Sequence, residues 1–104
     1  MTASLSATSE SVALLARLRE LLPDLRRRHP VASLAIFGSR ARGTTGPDSD
    51  LDLLVDWSGP ASLLDYAALR ADLEEHTGLR VELTNRRLIK PAMGRTILSE
   101  AVTA

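Results

Sequence analysis

From Leu14 through Leu15, Leu18, Leu21, Leu22 and Leu25, apolar residues recur at three- and four-residue steps, the spacing of one helical face. This predicts a helix over residues 9–28, kinked or divided at Pro23, where the ring removes a backbone hydrogen bond. Arg26, Arg27, Arg28 and His29 close the segment before Pro30, where the helix dipole favours cations, and read as a solvated helix end. The pattern then becomes a continuous apolar run, residues 31–37, a buried strand broken by Gly38. Ser39 to Arg42 should form a short helical turn, followed by the loop "GTTGPDS". Residues 50–55 read as the next strand, and Trp57-Ser58-Gly59-Pro60 as a loop. Ser62 can cap a helix over 63–76, with Leu63, Leu64, Ala67, Ala68 and Leu73 on its apolar side and Gly78 ending it. Residues 80–84 form a short strand. A last helix starts near Pro91, suited to a first helical turn, and carries Ile97, Leu98 and Val102. Helix and strand thus alternate in the order αβαβαβα, which predicts an α/β sandwich with a short sheet covered by helices.

At 104 residues the chain is the size of one domain, residues 1–104, with enough surface for one core. Its 13 basic and 13 acidic residues cancel, so no global field draws it to nucleic acid or a membrane surface. Phe37, Trp57 and Tyr66 are its only aromatics, too few for a platform on which single-stranded bases stack. Cysteine is absent, which excludes disulfides and thiolate metal sites and suits a reducing cytoplasm. The first fifteen residues, "MTASLSATSESVALL", lack the basic and long apolar stretches of a leader or membrane span.

The chemistry concentrates in "FGSRARGTTGPDSDLDLLVD", Phe37 to Asp56. Residues two apart in a strand share a face, so Asp50 and Asp52 point one way while Leu51, Leu53 and Val55 point into the core. Two carboxylates about 7 Å apart on one face repel unless a positive group lies between them. Hard oxygen donors with open positions suit Mg²⁺, which binds one or two carboxylates and takes its remaining ligands from phosphates and water. Gly38-Ser39 supplies the complementary half. A glycine lets a phosphate approach the backbone, the following turn offers free N–H groups, and Ser39 adds a hydroxyl. Alone, a Gly-Ser turn is ordinary loop chemistry and Asp-x-Asp an exposed edge or a Ca²⁺-loop fragment. On adjacent strands they form a site for a metal-bound polyphosphate.

"GSRARGTTGPDSDLD" matches Gly-Ser-x10-Asp-x-Asp and resembles the DNA polymerase β-like nucleotidyltransferases. Within that superfamily, "FGSRARG…SDLDLLV" is similar to the minimal nucleotidyltransferases, and the likeness runs from Leu34 to the closing "GRTILSEAV". The resemblance implies the nucleotidyltransferase fold with its short mixed sheet, an ATP donor, Mg²⁺ and transfer of AMP. It also implies an antitoxin role beside a HEPN-type ribonuclease toxin, silenced by AMP placed on a tyrosine. The family uses a third acid on a later strand, and here the candidate is Glu82 of "RVELTN". Val81 and Leu83 face the core, so Glu82 points to the other side. The family pattern more often has Asp there, and the extra methylene threatens transfer more than nucleotide binding; the bland alternative is a surface acid on an edge strand.

Asp50, Asp52 and Glu82 are therefore the expected catalytic and metal-binding set, with Gly38, Ser39, Arg40 and Arg42 on the nucleotide. For Arg40 and Arg42, pairing with Asp48 is an equal alternative to neutralising the triphosphate. Arg86, Arg87 and Lys90 read as a solvated helix start, His29 and His76 as helix-end cations, and Trp57 and Tyr66 as packing residues. Asp56 lies on the face of Asp52 but too far along the strand to join the site. With no acceptor-binding domain in sight, a macromolecular partner should present the acceptor. The other readings are an antitoxin that acts by binding alone, and a transferase for a small molecule.

Overall fold

The computed structural model describes residues 9–38, 50–89, 95 and 100–104. The leucine stripe folds as helix α1, Ser9–Arg28, and buries Leu18, Leu21, Leu22 and Leu25. Pro23 does not divide it. Both Pro23 and Arg19, whose carbonyl loses its amide partner, lie on the exposed side, where solvent can satisfy the orphaned oxygen.

Among the described residues, one sheet carries four strands in the order β3-β2-β1-β4: β1 Val31–Phe37, β2 Leu51–Trp57, β3 Val81–Asn85 and β4 Val102–Thr103. β1 is antiparallel to both β2 and β4, and β2 is parallel to β3. Helix α2, Leu63–Thr77, makes the crossover that the parallel pair requires.

Register slips between Val31 and Ser33. The bulge brings Val31 onto the face of Leu34 and Ile36 despite its odd spacing. Ala32, the residue skipped, has its carbonyl satisfied by Nε and Nη2 of Arg26 at 3.0 and 2.8 Å. Arg26 is thus a structural tie between α1 and β1. Leu51, Leu53, Val55 and Trp57 of β2 join Val81, Leu83, the α1 leucines and Leu69 and Leu73 of α2 in a single apolar cluster. Trp57 is buried within β2, not in a loop. Ala35 and Leu54, paired across β1 and β2, are buried outside that cluster on the opposite face.

A capping box starts α2: Ser62 Oγ accepts from Asp65 N at 3.1 Å and Asp65 Oδ2 accepts from Ser62 N at 2.8 Å. Gly78 ends it in the left-handed conformation at φ 73°. Its inward face is Tyr66, Leu69 and Leu73, whereas Leu63 and Leu64, expected inside, are 83% and 81% exposed. α2 also blunts the edge strand: Tyr66 donates its hydroxyl hydrogen to Leu83 O at 3.2 Å, and Glu74 Oε2 accepts from Val81 N at 2.9 Å.

The expected final helix largely lies outside the described residues, Ile97 and Leu98 included. Arg95 and Glu100 are helical, but Val102 is not. It pairs with Ile36 in β4, and Ala104 N donates to Leu34 O at 2.9 Å.

The two histidines do more than end helices. His29 Nε2 donates to Asp72 Oδ2 at 2.9 Å, Arg28 pairs with the same oxygen, and His76 Nδ1 lies 3.1 Å from Oδ1. Burial pushes the Asp72 carboxyl up, but the hydrogen bonds from His29 and Arg28 outweigh it and hold it below the usual range. A carboxyl lowered on folding stabilises above its unfolded pKa of about 3.9, and that contribution is lost as pH falls through the folded value. Asp72→Asn is expected to cost about 1–3 kcal/mol at neutral pH, because an amide keeps one acceptor oxygen but loses the charge that His29 and Arg28 share. The deficit should shrink below about pH 4, where the wild type loses the same clasp. Urea midpoints of both proteins between neutral pH and pH 3 test this, and a constant difference across that range would count against it.

Candidate active site

Alternation along β2 resolves the conflict of placing acids at the head of a core strand. Leu51, Leu53 and Val55 are fully buried, and the residues between them leave on the other face. There, register aligns Asp52 with Phe37 of β1 on one side and with Glu82 of β3 on the other. Asp52 and Glu82 are therefore lateral neighbours, since paired residues of adjacent strands point the same way. Asp50 lies one step beyond the start of β2, its side chain 37% exposed. Glu82 is exposed and Asp52 intermediate. Asp56 lies far down the same face, where Arg87 Nε stands 3.8 Å from its Oδ1.

The turn after β1 closes over this row. Gly38 has φ 75°, and a Cβ built on it would stand 2.5 Å from Asp52 Oδ2. Only glycine combines that backbone with that approach. The Gly38 half of the motif thus meets the Asp52 half in space. Ser39, Arg40 and Arg42, together with Asp48, lie outside the described residues.

Arg80 stands beside Asp50 as well. Leu51 N donates to Arg80 O at 2.8 Å, and Arg80 Nε stands 3.9 Å from Asp50 Oδ1. Its signal was available: Arg80 precedes Glu82 by two, the spacing of a shared face.

Among the described residues, no three acids or histidines converge into a ready-formed metal centre. The donor chemistry nevertheless fits Mg²⁺. That ion needs no protein cage, because it keeps waters and shares phosphate oxygens with one or two carboxylates. Asp52 and Glu82 offer hard oxygens side by side on one face, and Asp50 stands just before the strand that carries Asp52. A groove of about 430 Å³ lies at the other end of β2 and β3, lined by Trp57, Leu63, Tyr66, Leu83 and Leu88, and carries none of these acids. Among the described residues no helix is long and apolar enough to cross a membrane.

Known proteins share this fold. The family described as "Nucleotidyltransferase domain" matches residues 18–103. Protein adenylyltransferase MntA of Thermococcus cleftensis is 40% identical over 79 residues, which cover 76% of this chain and 80% of that protein. A solved structure assigned as a minimal nucleotidyltransferase superposes with TM-score 0.74 at 37% identity, covering 88% of this chain and 93% of that one. A complex of the tri-AMPylated Shewanella oneidensis HEPN toxin with its MNT antitoxin matches with TM-score 0.62, covering 86% of this chain and 70% of that one. At 15% identity the latter speaks for the fold.

Proposed function

The chain belongs to the nucleotidyltransferase domain family, and from that premise we propose that it transfers AMP from Mg²⁺-ATP to a tyrosine of a HEPN-type toxin, acting as its antitoxin in the cytoplasm. The observation that carries this reading is the register of β2 and β3, with Glu82 level with Asp52. Two relations support it: the named adenylyltransferase relative, and the fold shared with an antitoxin in complex with an AMPylated toxin.

Asp50, Asp52 and Glu82 would hold the divalent ion, which when bound neutralises phosphate charge and favours ionisation of the acceptor hydroxyl. Gly38, lacking a side chain, leaves the approach over Asp52 open to the donor's phosphates. Ser39, Arg40 and Arg42 would add a hydroxyl and two cations to that turn. The acceptor oxygen attacks the α-phosphorus, the bond to the β-bridging oxygen breaks, and pyrophosphate leaves. Glu82, the exposed acid of the row, stands where a partner's tyrosine can enter from solvent.

Intact mass of the partner after incubation with this protein and Mg²⁺-ATP is the direct test, with AMP on tyrosine as the expected product. Glu82→Gln should lower transfer by orders of magnitude while nucleotide affinity changes little, because the lost charge matters mainly in the transition state. Glu82→Asp, which restores the commoner family residue, is expected to transfer faster than wild type. Unchanged transfer in both variants would remove Glu82 from the site. An antitoxin that acts by binding alone is the second reading, favoured by the longer glutamate at position 82. A stable, neutralised complex without any AMP would establish it.

A further inference from the structure

We propose that Arg80 is a positioning residue for the nucleotide, one that holds Asp50 in the empty protein and passes its charge to the triphosphate when the donor arrives with its divalent ion. The inference rests on the site reading above and adds a residue and a step to it.

Three observations carry it. First, the root of Arg80 is pinned. Its carbonyl accepts from Leu51 N at 2.8 Å, and the next residue, Val81, pairs with Leu51 in register. Side chains alternate from there, so Arg80 belongs to the face of Glu82, and its Nε lies near Asp50. Second, the head of Arg80 is loose. The contact is 3.9 Å, at the far edge of ion-pair distance, and the side chain is 75% exposed. A pair of this kind is worth at most about 1 kcal/mol, so releasing it costs little. Third, Arg80 lies two residues before Glu82, on the face where Glu82 is level with Asp52, so the guanidinium stands at the end of a row of acids.

These features make an exchange. A divalent ion arriving at Asp50 competes with the guanidinium for the same oxygen and repels it by like charge. The nearest new anion is then the triphosphate brought by that ion. A guanidinium presents a planar fork of donors that matches phosphate oxygens two at a time. The pinned backbone keeps the fork at the rim of the site, and the exposed side chain lets it turn. Arg80 thus prepays part of the charge balance before the ligand comes.

Full-length wild type, Arg80→Gln and Arg80→Lys can be compared by two binding measurements that need no turnover. Mn²⁺ alone, followed by electron paramagnetic resonance, reports on the acids without nucleotide. A fluorescent non-hydrolysable ATP analogue with Mg²⁺ reports on the loaded site. Arg80→Gln should bind Mn²⁺ about threefold more tightly, because a competing cation of modest strength is gone. It should bind the analogue about tenfold more weakly, for want of a charge-assisted contact to phosphate. Arg80→Lys should fall between wild type and the glutamine variant in both. Structural damage would weaken both ligands together, so opposite signs identify the exchange. Equal affinities in wild type and Arg80→Gln, or a loss of both, would overturn the role of Arg80 and leave the site standing. A wild type that binds neither Mn²⁺ nor the analogue would overturn the site itself, and Arg80 with it.

Discussion

Replacing Asp50 and Asp52 together with alanine is expected to abolish AMP transfer and leave the fold intact. Neither side chain belongs to the apolar cluster. Asp50 is 37% exposed and precedes the strand, while Asp52 leaves β2 on the face opposite Leu51 and Leu53. Removing both loses the weak pair with Arg80 and the polar interaction of the half-buried Asp52, but also relieves repulsion between like charges, so the net change in stability should stay within about 1 kcal/mol. For the chemistry, the loss is the oxygen donors that would anchor the ion and, through it, the triphosphate. Transfer below detection, with an unchanged circular-dichroism spectrum and a melting temperature within a few degrees of wild type, is the predicted outcome. Substantial transfer by the double variant would sink the mechanism. Loss of folding would instead show that the acids hold the sheet together.

Gly38→Ala should be nearly as damaging through a different cause. At φ 75° any L-residue is strained, by about 1–2 kcal/mol. The added methyl also falls 2.5 Å from Asp52 Oδ2, so the carboxylate has to move. Metal–ligand distances tolerate only about 0.2 Å, and a displacement near 1 Å in a reacting assembly costs roughly 100-fold in rate. Gly78 supplies the control. It has φ 73°, ends α2, and a Cβ there meets nothing within 4 Å. Gly78→Ala should lower stability by about 1 kcal/mol and leave transfer unchanged. Gly38→Ala should lose a similar or larger stability and most of the transfer. Equal activity in the two alanine variants would mean that the approach of Gly38 to Asp52 has no part in the chemistry.

Which residues share a strand face was legible in the sequence itself. The alternation in "DLDLLVDW" sends Leu51, Leu53 and Val55 to one face and the acids, with Leu54, to the other, because successive strand residues leave on opposite faces, whatever the strand pairs with. The same rule put Glu82 opposite Val81 and Leu83, and both assignments agree with the burial observed. Ser62 and Gly78 announced the ends of α2, since caps are set by groups within a few residues.

Other features had no local trace. Val102 joins β1 through a two-residue strand, too short for any periodicity to reveal. Leu63 and Leu64 are apolar but exposed, because α2 meets the sheet from Tyr66 onward, and the composition of a helix face does not say where its partner surface begins. Arg26 and Arg28 looked like solvent-facing cations, yet one satisfies the carbonyl at the β1 bulge and the other helps hold Asp72.

What the sequence by itself determined is which residues share a face, because alternation depends only on each residue's immediate neighbours. What the tertiary structure decided is the level at which they meet. Glu82 could have stood beside Leu54 or Asp56; the parallel register across the α2 crossover sets it beside Asp52, and the hydrogen bond from Leu51 N to Arg80 O brings a cation to Asp50. Register is a property of two distant segments fitting one core, and a shift of one residue would turn Glu82 and Arg80 toward the leucines.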